Sequence, residues 1–306
     1  MTRFFDPLIP RKSALVNNAL KQNEAGIPLP AIVEVSESGT CNRKCSFCPR
    51  SAPEFLDVKE FIDPNLLNKL ARELHEIGFK GLFLFSGFVE PLLDKELHHR
   101  VSLVRSYLRD SRIEIVTNGD VLLKKGGKKR LERLFDAGLS TLLISVYDGK
   151  EAADRLEALC RNSGLQEDQY KIRHRYLPPE QDFGITLSNR GGMMHDAAHS
   201  IPDRHEVWEH PCYYPHYNFF MDYTGDVLLC PHDWGKKFIA GNMKTQSFTD
   251  IWLGERLQSA RRRLIDGDRY LSPCDVCDVD GTLMGKKHAD AWRALEGTKH
   301  QVKEPS

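Results

Sequence analysis

Nowhere in this chain do 18 apolar residues run together, and the opening MTRFFDPLIPRK lacks the apolar core of a secretory signal. Neither charge sign is in excess either, with 43 Lys plus Arg against 43 Asp plus Glu. A protein that grips nucleic acid by neutralising phosphates carries a basic surplus, so the expected partner is a small-molecule substrate, with no nucleic acid and no membrane. Internal repeats and low-complexity tracts are missing as well. These absences predict a cytoplasmic protein, and in a reducing compartment the eight cysteines are not a disulfide framework. Metal or redox chemistry is what remains for them.

A length of 306 residues admits one large domain or two unequal ones. Short β-branched runs alternate with stretches of helical period, the pattern of parallel strands joined by crossover helices. Strands are predicted at 32–36, 81–86, 113–117, 141–146, 171–176 and 183–187. A helix opens at Asp63-Pro64, where the carboxylate caps and the proline sits at the first helical position, and Leu66, Leu67, Leu70, Leu74 and Ile77 form its buried stripe. Further helices are expected near 95–109, 128–137 and 149–162. The expected fold is therefore α/β, a partial (β/α)6 TIM-type barrel over 30–204, preceded by an N-terminal extension over 1–29. From about residue 205 the rhythm is lost. A small module is expected over 205–285, with a β-hairpin at 218–222 and 227–230 around Gly225 and a helix over 248–264. A polar tail, frayed over 298–306, follows from 286. Chemistry in such barrels gathers at the carboxyl ends of the strands.

Directly after the first predicted strand stand Cys41, Cys45 and Cys48, a C-x3-C-x2-C triplet in a loop. Structural zinc and a fully ligated four-iron cluster both want four ligands, so three thiolates leave one metal position open. An open iron can bind and activate a small molecule; the alternatives are a zinc loop with a distant fourth ligand, or unrelated buried cysteines. The triplet, with Phe47 before its last cysteine, resembles that of the radical S-adenosylmethionine (SAM) enzymes. The resemblance implies a [4Fe-4S] cluster on Cys41, Cys45 and Cys48 that binds SAM and cleaves it to a 5′-deoxyadenosyl radical, with Phe47 near the adenine. It also implies SAM contacts from Gly87 and Glu90 in Ser86-Gly87-Phe88-Val89-Glu90-Pro91, where Val89 replaces a second glycine. Thr117 and Asn118, and Ser145 near Tyr147-Asp148, fall where the family holds the ribose and carboxylate of SAM.

Four more cysteines lie in the predicted C-terminal module: Cys212, Cys230 and the C-x2-C pair Cys274 and Cys277. Four thiolates close a ligand set, and spacing alone leaves structural zinc and an iron-sulfur cluster both open. The arrangement resembles the SPASM and shorter twitch modules of radical SAM enzymes, which implies an auxiliary [4Fe-4S] cluster; no cysteine after Cys277 is available for a second one. His232 and Asp233 are read as neighbours of this site rather than ligands. Cys160, on a predicted helix, reads as packing.

After the sixth predicted strand comes Ser188-Asn189-Arg190-Gly191-Gly192. This segment, the G-x-x-E-P stretch and the four-cysteine spacing resemble the aminocyclitol-oxidising radical SAM dehydrogenases of the 2-deoxy-scyllo-inosamine type. That resemblance places Arg190 as the catalytic-site residue at the substrate, where a guanidinium that keeps its proton suits binding better than base catalysis. It implies oxidation of a small polar alcohol to a ketone with the auxiliary cluster as electron acceptor, and an external one-electron donor such as flavodoxin or ferredoxin. The rival readings are a peptide maturase or epimerase and a zinc-stabilised scaffold without SAM chemistry. About 30 residues before the first strand are too few for a winged-helix peptide-recognition domain, which favours a small substrate.

Overall fold

The computed structural model describes residues 8–18, 20–52, 55–194 and 206–301. Its frame is an eight-stranded sheet whose side chains alternate between two faces, as extended backbone requires. After helix α1 (Ile9–Asn18) comes strand β1 (Ile32–Ser36), then a short ribbon of β2 (Ser38–Gly39) and β3 (Val58–Phe61). Helix α2 (Pro64–Glu76), β4 (Leu82–Phe85), α3 (Leu97–Tyr107), β5 (Arg112–Thr117), α4 (Gly127–Asp136), β6 (Thr141–Val146), α5 (Lys150–Asn162) and β7 (Tyr170–His174) follow in strict alternation. The Asp63 carboxylate caps α2 by accepting from the Asn65 amide, and Leu66, Leu67, Leu70 and Leu74 of its expected stripe are buried together with Ala71, while Ile77, at the C-cap, is half-buried.

The strand order places β1, β4, β5, β6 and β7 side by side, all parallel. Val33, Val35, Phe83, Phe85, Ile113, Ile115, Leu142 and Ile144 face outward into the core beneath α2–α5. The alternate residues line the concave face, where Ile32, Leu82 and Leu84 meet Val16 of α1. Cys160 lies in the outward core, away from the concave face, as packing.

The first correction to the expected fold concerns this region. Residues 183–187 do not form a strand. Pro178-Pro179 starts a 3-10 turn over Pro179–Gly184, and Asp182 and Phe183 adopt left-handed backbone (φ 49 and 55), so the chain cannot continue as an extended ladder beside β7. The sixth parallel strand comes from the other edge: β8 (Asn218–Asp222), entered through α6 (Tyr214–Tyr217), pairs in parallel with β1 from Ile32↔Asn218 to Ser36↔Asp222. The expected hairpin forms between β8 and β9 (Asp226–Leu228), and β10 (Ile239–Asn242) extends it, so the C-terminal module continues the barrel sheet.

The predicted helix over 248–264 is two, α7 (Phe248–Trp252) and α8 (Glu255–Ile265), interrupted at Gly254. The second correction concerns the expected polar tail. Residues 286–301 form helix α9 (Lys286–Gln301), with Ala289 and Trp292 buried at a three-residue spacing. Trp292 donates from Nε1 to the His216 carbonyl (3.1 Å). The 204/205 boundary and residues 302–306 of the expected fray lie outside the described residues. No helix among the described residues is long and apolar enough to cross a membrane.

Candidate active site and cluster sites

The loop leaving β1 and β2 carries the first three cysteines at the carboxyl end of the parallel strands. Cys41, Cys45 and Cys48 are half-buried, and every pair of them interacts electrostatically. Burial pushes the Cys41 thiol up to about 11 and Cys45 up to about 12, so without metal the triad stays protonated. The loop is clamped to the ends of two strands. Asn42 donates to Asp120 (2.6 Å), and Arg43 donates to Asp120 (2.8 Å) and to Asp148 (2.9 Å) while lying 5.0 Å from the centroid of Tyr147. Buried Arg50 holds the far side, donating to Asp57 (2.8 Å), to the Gly39 carbonyl (2.9 Å) and to the Phe88 carbonyl.

Beneath this loop lies a cleft of about 740 Å³, lined by the three cysteines together with Phe47, Gly87, Glu90, Thr117, Asn118, Ser145 and Arg190. The fold thus brings every predicted SAM-contact residue to one place. Glu90 is buried, and its carboxylate accepts from the Leu92 amide (2.9 Å), the Thr117 hydroxyl (2.6 Å) and the Asn118 amide (2.6 Å). A carboxylate offers about four acceptor positions, so one is left toward the cleft. Burial raises its pKa to about 7 despite these bonds. Gly87 has φ +92, and a Cβ there would lie 3.0 Å from the Phe220 ring, so a side chain would be both strained and crowded. Val89 packs into the small cluster of Phe88, Phe220 and Leu228, so the position where a second glycine was expected serves as packing. Phe47 stacks on Tyr147 with centroids 6.0 Å apart. Together these groups supply three thiolate ligands with one iron position open, a carboxylate for an ammonium, and an aromatic wall, which fits a SAM-binding [4Fe-4S] cluster.

The second set of cysteines converges from three distant segments. Cys212, Cys230, Cys274 and Cys277 are all buried, and each thiol is coupled electrostatically to the other three. Arg269, itself buried, ties the segments by donating to the carbonyls of His210 (2.7 Å), Pro211 (3.0 Å) and Val279 (3.0 Å). Asp233 turns the loop after Cys230 by accepting from the amides of Lys237 (2.8 Å) and Phe238 (2.9 Å). Tetrahedral zinc with Zn–S bonds of about 2.3 Å would draw four sulfurs to about 3.8 Å from one another. Among the described residues no three cysteine sulfurs lie within 4.8 Å of one another.

A second cleft, about 1440 Å³, adjoins the first along the concave face of the sheet and shares Ser86, Gly87, Ser145, Tyr147 and Arg190 with it. Arg190 has left-handed backbone (φ 50) and faces Cys48, Tyr214, Asp278 and Tyr147. Desolvation lowers its pKa below the ordinary guanidinium range. His232 is set edge-on to Tyr214 with centroids 5.1 Å apart, and its Nδ1 is buried without a hydrogen-bond partner among the described residues.

The radical SAM superfamily model matches residues 36–172, and that of SPASM, an iron-sulfur cluster-binding domain, matches 212–278. A curated relative, the S-adenosyl-L-methionine-dependent 2-deoxy-scyllo-inosamine dehydrogenase of Niallia circulans, is 30% identical over 247 residues, 81% of this chain and 91% of the relative. The chain belongs to the radical SAM superfamily. The crystal structure of BtrN in complex with AdoMet and 2-DOIA superposes with a TM-score of 0.68 at 28% identity, covering 83% of this chain and 95% of that one. A probable GTP 3′,8-cyclase of Thermococcus kodakarensis is 28% identical over 138 residues, 44% of this chain and 42% of that protein.

This radical SAM enzyme therefore uses a [4Fe-4S] cluster and SAM, with an auxiliary iron-sulfur site in its C-terminal domain, and is homologous to a SAM-dependent dehydrogenase. The zinc-scaffold alternative falls with that finding. Sequence reading missed several residues that shape the enzyme's site. Arg43 and its partners Asp120 and Asp148 had a local signal, a basic residue inside the cysteine loop opposite acids at two strand ends. Lys12, Glu34 and Trp234 had none, because only the fold brings them to the cleft wall.

Proposed function

We propose that this enzyme oxidises a secondary alcohol of a small hydroxylated ring, of the aminocyclitol or sugar-alcohol kind, to a ketone. One observation carries the reading. The larger cleft is lined by both Arg190, which faces Cys48, and Tyr214, which faces Cys212, Cys230 and Arg190 itself, so one neighbouring pair of side chains on its wall reaches toward both groups of cysteines. When bound, SAM and its cluster supply a 5′-deoxyadenosyl radical that takes a hydrogen atom from carbon, and the auxiliary cluster supplies an acceptor for the remaining electron. The balance is one hydrogen atom to deoxyadenosine, one proton to solvent and one electron to the acceptor, leaving a carbonyl.

The chain's own residues hold and orient. Glu90 offers its spare acceptor position to the ammonium of SAM, Gly87 permits close backbone approach, Phe47 walls the adenine, and Thr117, Asn118 and Ser145 face the remaining polar groups. Arg190 donates to the substrate oxygen that loses its proton, stabilising charge as it develops. Ile9 and Leu15 of α1 and the Trp234 ring give the larger cleft an apolar part of its wall. We place the enzyme in the cytoplasm, with flavodoxin or ferredoxin as external one-electron donor.

The test is anaerobic incubation of the reconstituted protein with SAM, reductant, and 2-deoxy-scyllo-inosamine or related polyols. Substrate loss of two hydrogens matched by 5′-deoxyadenosine release supports the proposal. The Cys274→Ser/Cys277→Ser double variant should lose the auxiliary iron, retain SAM cleavage, and form no ketone. Undiminished ketone formation in that variant would refute the electron-acceptor role.

A further inference from the structure

The charge lining the larger cleft is one-sided, although the chain as a whole is neutral. Five cationic side chains, Arg11, Lys12, Arg173, Arg175 and Arg190, line it against two carboxylates, Glu34 and Glu114. Glu114 is already matched, accepting from both guanidinium nitrogens of Arg11 and facing Arg112 (3.3 Å). Glu34 sits on the cleft wall beside Ser86 and Asn218, and the ammonium of Lys12 faces it from α1. Lys12 and Arg190 also both face His232, so these groups share one space. The guanidinium of Arg190 makes no hydrogen bond or ion pair among the described residues, although the buried Asp278 carboxylate faces it, and Arg175 is also committed to the Gly184 carbonyl.

Helix α1 is what creates the excess. Val16 is buried with Ile32, Leu82, Leu84, Tyr217 and Met284, which fixes the helix across the concave face and turns Arg11 and Lys12 inward. This helix lies before residue 36, ahead of the segments matched by the two family models. One guanidinium can be assigned to the carboxylate of SAM, and cations still outnumber carboxylates. An ammonium entering such a space meets like charge, and Glu34, the carboxylate it would seek, already faces Lys12. An oxyanion instead gains charge-assisted hydrogen bonds from fixed, partly desolvated donors.

We infer that the substrate is a hydroxylated ring carrying a carboxylate or phosphate rather than an amine, its anionic group received by the cations that α1 and the strand ends gather in this cleft. The inference rests on the alcohol-oxidation reading for the ring and replaces its aminocyclitol option, with the relative's amine, by a ring of opposite charge.

The experiment uses the full-length protein with both clusters, anaerobically, with SAM and without reductant, so that binding is read before any turnover. Equilibrium dialysis compares myo-inositol, myo-inositol 1-phosphate, glucuronate and 2-deoxy-scyllo-inosamine. Binding of the phosphate or the carboxylate about ten-fold or more tighter than the neutral ring supports the inference, and the two arms tell which anion is taken. Lys12→Met should erase most of that preference, and Glu34→Gln should increase it, with the visible cluster spectrum unchanged in both. Equal or tighter binding of the amine overturns the inference, as does failure to distinguish the four compounds. Reductant is then added. A bound anionic ring that triggers no ketone formation defeats the alcohol-oxidation reading while leaving the charge preference standing.

Discussion

Glu37, one residue beyond β1, is fully buried and neither oxygen of its carboxyl group has a hydrogen-bond partner among the described residues. Desolvation, with Glu90 and Asp94 adding to it, raises its pKa from 4.5 to about 8. The folded chain therefore keeps a proton that the unfolded chain has lost between those values. Stability falls as pH rises through that window, by at most about 1.4 kcal/mol per unit. Glu37→Gln should flatten the fall, seen as a thermal midpoint that changes less than the parent's between pH 5 and pH 8; an unchanged slope would assign the dependence elsewhere. Arg43 is the other residue with a sharp expectation. Arg43→Leu removes the donors that bind the cysteine loop to Asp120 and Asp148 while keeping an apolar stem over Tyr147, so the first cluster should lose iron to a chelator faster and the auxiliary site should not. The cysteines themselves were legible in the sequence because metal ligands have restricted spacing. Arg43 was half-legible, and Glu37 gave no sign, since a lone acid after a strand says nothing about burial.

The β/α elements with a strong local period are legible in the sequence, whereas the fate of residues 183–187, the placement of β8 and the docking of α9 depend on long-range packing. The α2 stripe is visible in sequence because leucines recur at helical spacing and Asp63-Pro64 marks the start. Residues 183–187 look equally strand-like, yet prolines and left-handed backbone just before them divert the chain, and β8 takes the sixth parallel place from 30 residues further on. Helix α9 reads as a polar tail in the sequence because its exposed face is charged. Its inner face is decisive: Trp292 meets Trp252 edge-on at 5.7 Å, and the guanidinium of Arg261 lies 3.9 Å and 4.0 Å from the two rings. Trp292→Ala should lower stability by about 3–5 kcal/mol, read as a fall in the thermal midpoint with both clusters retained. Loss of the auxiliary cluster in that variant would mean that α9 supports the cluster directly.

At the scale of the molecule, seven of the eight cysteines converge on two sites, and each site is assembled from thiols that burial keeps protonated. Cluster assembly must displace those protons, so iron should be held less tightly as pH falls. The buried thiols of Cys212, Cys230, Cys274 and Cys277 come together across more than 60 residues of sequence, and with the auxiliary cluster proposed on them chelation should raise hydrogen exchange over 206–285 more than over the α2–α5 core. A uniform rise would show that the two parts unfold as one. The sequence by itself determined the grouping of the thiols, the β/α alternation and the family, because thiol spacing and hydrophobic period are local properties. Only the tertiary structure decided that β8 closes onto β1, that the four distant thiols face one another, and that Lys12 stands opposite Glu34 in the cleft. Those are pairings between residues far apart in the chain, set by which faces can be buried together, and no local pattern records them.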